Sequence, residues 1–118
     1  MNENTNIYDL KKLNIYNYGI KLIDFGCSKM FTRTKKSFSD IIGTLVYCSP
    51  EVLANYYNES CDIWSCGVLM YCLLSGYFPF RGEDEDEVTS KILSGKYEFD
   101  IEIFNNVSDE AKDLISKC

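Results

Sequence analysis

Apolar and polar positions divide the chain near residue 50. Downstream, the apolar positions recur at helical spacing. Pro50-Glu51-Val52-Leu53-Ala54 predicts a short helix with Pro at its first position. Residues 62–75 (DIWSCGVLMYCLLS) are apolar on nearly every side, which predicts a helix buried all round. Asp62 stands near its start, where a carboxylate suits the helix dipole; Gly76 closes it and Pro79 prevents a restart. The acidic run Glu83 to Glu87 precedes Val88, Ile92 and Leu93 at helical spacing, with Gly95 as the stop. Ser108-Asp109-Glu110 predicts the cap of a last helix that turns Ala111, Leu114 and Ile115 inward. That pattern is still running at Cys118, as a cut would leave it.

Upstream the pattern is weaker. Residues 27–49 are polar without helical period, with Lys29, Arg33, Lys35 and Lys36 against Asp40. Ile20-Lys21-Leu22-Ile23 is β-branched-rich and alternates weakly, so a short strand is predicted. Residues 1–19 are rich in Asn and Tyr and predict an irregular low-complexity segment. The order is therefore irregular segment, short strand, long loop and four helices, with no internal repeat.

Composition narrows the chemistry. The 118 residues fit one domain, and no apolar run is long enough to span a bilayer. No signal-peptide pattern opens the chain. A net charge of −6 and a pI near 4.6 argue against nucleic acid as a main partner. The acid is concentrated: residues 82–118 hold eleven Asp and Glu against four Lys, a net −7. With no histidine, a His–Cys zinc site, a Ser–His–Asp triad and an imidazole base are excluded within these residues. The six cysteines form no C-x-x-C pair, and Cys61, Cys66 and Cys72 fall in or beside an apolar helical pattern. They read as buried reduced thiols, which implies a reducing, cytoplasmic compartment. Residues 83–87 lack the alternating ligands and central Gly of an EF-hand loop and read as a solvated helix start.

Candidate chemistry begins at Asp24-Phe25-Gly26, directly after the predicted strand. Alone the tripeptide is a weak signal. It is followed by Gly43-Thr44-Leu45-Val46-Tyr47-Cys48-Ser49-Pro50-Glu51, then Asp62-Ile63-Trp64-Ser65-Cys66-Gly67-Val68, then LLSGYFPF, SGKYEFD and SDEAKDLI. In this order and spacing the chain resembles the C-terminal lobe of a eukaryotic Ser/Thr protein kinase, over residues 20–118. The last three phrases are most similar to the calcium-dependent and calcium/calmodulin-dependent group. The implied fold is mainly α, an incomplete kinase C-lobe with a short β element before the D-F-G motif.

The resemblance implies ATP and Mg²⁺ as cofactors and a protein substrate with a Ser or Thr acceptor, with no nucleic acid and no membrane. Asp24 is then the Mg²⁺ ligand, Phe25 packs inward and sets the facing of Asp24, and Gly26 permits the backbone turn. Thr44 hydrogen-bonds the catalytic Asp and marks Ser/Thr specificity. Leu45, Val46 and Tyr47 shape the substrate-docking loop, though a plain hydrophobic loop also accounts for them. Asp62 accepts backbone N–H groups of the catalytic loop, with helix capping as an adequate alternative. Gly67 belongs to the central helix, and Glu51 is a buried carboxylate whose Arg partner lies beyond these residues. Asp40 takes the place where many kinases carry an activating phosphate and supplies part of its charge.

The family's Gly-rich loop, strand Lys and helix Glu do not occur in these 118 residues. Asp9, Lys11 and Asn14 match a degenerate catalytic loop, but the same stretch also reads as an insertion between that loop and the strand, and its composition favours the insertion. The expectation is a kinase whose isolated fragment is inert. A non-catalytic, pseudokinase-like scaffold is the alternative. Calcium or calmodulin regulation would act only through regions outside this chain. Cys27 is expected as a packing residue, or as a thiol near the nucleotide site.

Overall fold

The computed structural model describes residues 19, 21–30, 37–40 and 43–118. Asp9, Lys11 and Asn14, the expected irregular segment up to residue 18, and Arg33, Lys35 and Lys36 lie outside the described residues. Among the described residues five α-helices follow one another: α1 (Pro50–Leu53), α2 (Ser60–Ser75), α3 (Glu85–Ser94), α4 (Ile101–Phe104) and α5 (Asp109–Ser116). The 3₁₀ turns Phe25–Cys27 and Leu45–Tyr47 precede them. Four helices were expected. The fifth, α4, is a single turn capped by Asp100, whose carboxylate accepts from the Glu102 and Ile103 backbone N–H groups.

The helix ends follow local chemistry. Asp84 caps α3 by accepting from the Glu87 N–H at 2.8 Å, while the Glu87 carboxylate accepts from the Glu83 N–H at 2.9 Å. The acidic run therefore satisfies backbone donors at a helix start. Gly76 and Gly95 end α2 and α3 in the left-handed region, at φ of 79° and 64°. Ser108 caps α5 by accepting from the Ala111 N–H at 3.2 Å.

Packing centres on α2, which contributes to two cores. Val68 joins Phe80, Val88 and Ile92 in the first, and Tyr71 joins Phe104 and Ile115 in the second. Trp64 lies flat on Phe80, with ring centroids 5.4 Å apart and planes 7° from parallel. Tyr71, Phe99 and Phe104 continue this aromatic packing, and the Tyr71 hydroxyl donates to the Glu98 carbonyl at 2.8 Å. At Gly67 a Cβ would lie 2.6 Å from the Cys118 Cβ, so the side-chain-free position lets α2 and the chain after α5 meet.

Three expectations are corrected. Residues 21–24 form no strand, and Leu22 and Ile23 are each 83% exposed. A strand needs a neighbour to take its backbone hydrogen bonds; the β pairing among the described residues is one antiparallel bridge, Phe38 to Tyr57. Helix α2 is not buried all round within these residues, because Ile63, Leu69, Leu73 and Leu74 are exposed on the face opposite its cores. The thiols are unpaired, as expected, but only Cys48 is buried; Cys61, Cys72 and Cys118 are half-buried, and Cys27 and Cys66 are exposed. Among the described residues no helix is long and apolar enough to cross a membrane.

Candidate active site

Asp24 adopts the left-handed conformation at φ 62°, a region that Asp tolerates better than most residues. This conformation starts the Phe25–Cys27 turn and lets the Asp24 carboxylate accept from the Gly26 N–H at 3.4 Å. Ser28 closes the turn, its hydroxyl donating to the Phe25 carbonyl at 2.6 Å. Phe25 is 66% exposed and does not pack inward, contrary to expectation: the cores of this chain lie in α2 to α5, and the turn stands outside them.

The docking-loop candidates are held more firmly. Thr44 precedes the 3₁₀ turn of Leu45, Val46 and Tyr47, closed by Tyr47 N–H to Thr44 carbonyl at 3.0 Å and Cys48 N–H to Leu45 carbonyl at 2.9 Å. From α2, the Ser65 hydroxyl donates to the Tyr47 carbonyl at 2.9 Å. Leu45 and Val46 pack half-buried against the first core, and the Tyr47 ring meets Phe78 edge-on at 5.5 Å. The outer surface of this loop is thus set by its inner packing.

A cavity of about 230 Å³ brings Thr44, Tyr47 and Asp62 together with Cys27, the residue after Gly26. Asp24, Phe25, Gly26, Leu45 and Val46 do not line it, nor do Glu51, Gly67 or Asp40. Asp62 is exposed in the first turn of α2 and caps no backbone N–H; Asn58 accepts from the Ser60 N–H instead, at 2.9 Å. Burial pushes up the Cys48 and Cys61 thiols, and the nearby Asp62 and Glu51 carboxylates add to the effect at Cys61. Glu51 is half-buried rather than buried and borders a separate cleft of about 400 Å³ with Tyr56 and Asn58.

Asp40 forms an ion pair with Lys29. The Lys29 ammonium also stands 5.1 Å from the Phe38 ring centre and 5.9 Å from that of Tyr57, whose hydroxyl donates to the Asp40 carbonyl at 2.9 Å. The Asp40 carboxylate raises the Lys29 pKa, against a smaller opposing effect of desolvation. Ser65, Lys29 and Tyr57 were missed as site residues. Ser65 had a signal, as a hydroxyl inside an apolar helix. Lys29 had another, being one of four cations in a loop with a single acid.

No group of three or more metal-ligating side chains occurs among the described residues. Asp24 is one carboxylate on an exposed turn. That donor suits a hard cation that draws its other oxygen ligands from phosphate and water.

The sequence matches the protein kinase domain family over residues 3–118. It is 53% identical over 98 residues to calcium-dependent protein kinase 4 of Plasmodium falciparum (isolate 3D7), covering 83% of this chain and 18% of that protein. It is 46% identical over 99 residues to calcium-dependent protein kinase 3 of Plasmodium yoelii yoelii, covering 84% and 18%. Calcium-dependent protein kinase 12 of Arabidopsis thaliana is 45% identical over 98 residues, covering 83% and 20%. The chain thus spans about a fifth of these relatives' length. The ordered motifs, the mainly helical C-lobe architecture and the match over nearly all of the sequence lead to one conclusion: this chain belongs to the protein kinase domain family.

Proposed function

We propose that the protein carrying this chain transfers the γ-phosphoryl group of ATP to Ser or Thr side chains of protein substrates. The observation that carries the reading is the Thr44–Tyr47 turn, fixed to α2 through Ser65 beside the cavity that Asp62 and Cys27 share. Residues 20–118 act as part of a kinase domain, with residues 1–19 as an insertion or an irregular lead-in to it. Mg²⁺ supplies charge neutralisation on the nucleotide phosphates when bound. Asp24 offers it a carboxylate, and the Phe25–Cys27 turn aims that carboxylate. Thr44 and Asp62 orient the catalytic segment at their cavity, and Leu45, Val46 and Tyr47 receive the substrate chain. Phosphoryl transfer rests on positioning and charge stabilisation by many groups, so the isolated chain has no tight Mg-ATP affinity and no activity of its own.

The Lys29–Asp40 ion pair provides at position 40 part of the charge contact that a phosphate would make, so activity does not require phosphorylation there. The unpaired thiols suit a reducing, cytoplasmic setting. The relatives' name suggests calcium dependence, exerted through regions outside this chain.

The test is phosphoryl transfer by the full-length protein. Asp24→Asn should lower kcat by about 100-fold or more, the scale for losing a preorganised electrostatic contact. Asp40→Ala should reduce activity without creating a need for an upstream kinase. Absence of transfer by the unaltered full-length protein would reject the enzyme reading in favour of the non-catalytic scaffold, and unchanged transfer in Asp24→Asn would remove Asp24 from the reaction.

A further inference from the structure

A second concave surface lies away from the cavity of Thr44 and Asp62. It is a cleft of about 540 Å³ between the loop after α2 and the exit of α3. Arg81, Lys91 and Lys96 line it, Pro79 and Tyr97 contribute apolar surface, and Glu98 is its single acid. The lining therefore carries three cations against one carboxylate, in a protein of net charge −6.

Pairing within the acidic stretch makes this unusual. Of its four lysines, three take a carboxylate within one helical turn: Lys91 from Glu87, Lys112 from Asp109 and Lys117 from Asp113. Lys96 takes none among the described residues, although eleven acids share residues 82–118 with it. Arg81 likewise pairs with no carboxylate there; its guanidinium lies 5.0 Å from the Tyr77 ring centre. The cleft is also held in shape. The Lys91 ammonium donates to the Arg81 carbonyl at 2.6 Å, joining its two walls. Tyr97 is fixed by ring contacts to Tyr71, Phe80 and Phe99 and by its hydroxyl bond to Ser116. Two uncompensated cations thus flank a rigid trough with an aromatic surface.

We infer that this cleft is a docking site for an acidic peptide segment of a protein partner, whose carboxylates pair with Arg81 and Lys96 while an apolar side chain rests on Tyr97 and Pro79. A planar guanidinium held beside an aromatic ring, as Arg81 is beside Tyr77, suits carboxylate recognition. The acidic surface around the cleft opposes an extended polyanion such as DNA or an anionic membrane, whereas a short peptide engages only the cationic lining. The binding does not depend on phosphoryl transfer.

The experiment is fluorescence anisotropy of the full-length protein with a labelled dodecapeptide of alternating Glu and Ala carrying one central Leu. Binding should weaken with added salt and fall about tenfold or more in Arg81→Glu/Lys96→Glu, the scale for losing two charge contacts. The milder Arg81→Gln/Lys96→Gln should lose affinity in the same direction. Lys112→Glu, outside the cleft, should bind as the unaltered protein does, and circular dichroism should show all variants folded. The inference is overturned if the Gln counterpart peptide binds equally, or if the cleft variants keep full affinity. Tighter binding of duplex DNA or phosphatidylserine vesicles through the same two residues would also overturn it.

Discussion

Residues 21–30 and residues 45–118 both carry motifs on which the family resemblance rests, yet they are held in different ways. The first segment contains Asp24, Phe25 and Gly26 and rests on one turn, its local hydrogen bonds and the contacts of Lys29 with Asp40, Phe38 and Tyr57, with Leu22, Ile23, Phe25 and Met30 exposed. The second packs two aromatic-rich cores against α2. A motif can therefore be complete in sequence while its support lies elsewhere, and the strength of a signature is no measure of local stability.

The contrast is open to direct challenge by mutation. Phe104 is 1% exposed, so Phe104→Ala should cost about 3–5 kcal/mol in urea unfolding followed by far-ultraviolet circular dichroism. Leu22→Ala, at an 83% exposed position, should change the same midpoint by no more than about 0.5 kcal/mol. Equal effects would end the distinction. Next in size is Gly67→Ala. The new methyl group meets Cys118 at 2.6 Å and should destabilise by about 1–3 kcal/mol, even though Ala is the better helix former. Combining it with Cys118→Gly should restore most of the loss, and failure to do so would place the strain elsewhere. Ser108→Ala removes the cap of α5 and should cost about 1 kcal/mol, read from the same unfolding curves.

The smallest effect concerns pH. A hydrogen bond from Lys91, then one from the Glu83 N–H, lowers the Glu87 pKa. A lowered carboxyl pKa contributes stability above the ordinary carboxylate value and loses it as pH falls through the folded value. The difference between the unaltered protein and Glu87→Gln should therefore be fully present near neutral pH and fade in acid. A difference that grew in acid would contradict this assignment.

What the sequence made legible follows from the range of the forces involved. Gly76, Gly95, the acidic run from Glu83 to Glu87 and Ser108 act within one turn of their own helix, so their residue types announced the helix ends. Asp100 offered the same kind of signal for α4, and its single turn was too short to show a period. The segment before Asp24 failed as a strand because strands exist only in pairs, and β-branched residues cannot supply a neighbour. The apolar faces of α2 were read correctly as apolar and wrongly as covered within these residues. In the candidate site, Thr44, Tyr47 and Asp62 were identified through resemblance, and the structure gathers them at one cavity. The Ser65 and Lys29 contacts span 18 and 11 positions, distances over which a linear pattern carries little information.

The stacking of Trp64 on Phe80 has an optical consequence. The chain has one tryptophan, so its indole emission and much of its near-ultraviolet dichroism arise in the α2 core. Such a signal follows the melting of the helical part and is silent about the turn that bears Asp24. An apparent two-state fluorescence trace would describe only one of the two regions, and a dye or fluorine label near residue 25 is needed to watch the other.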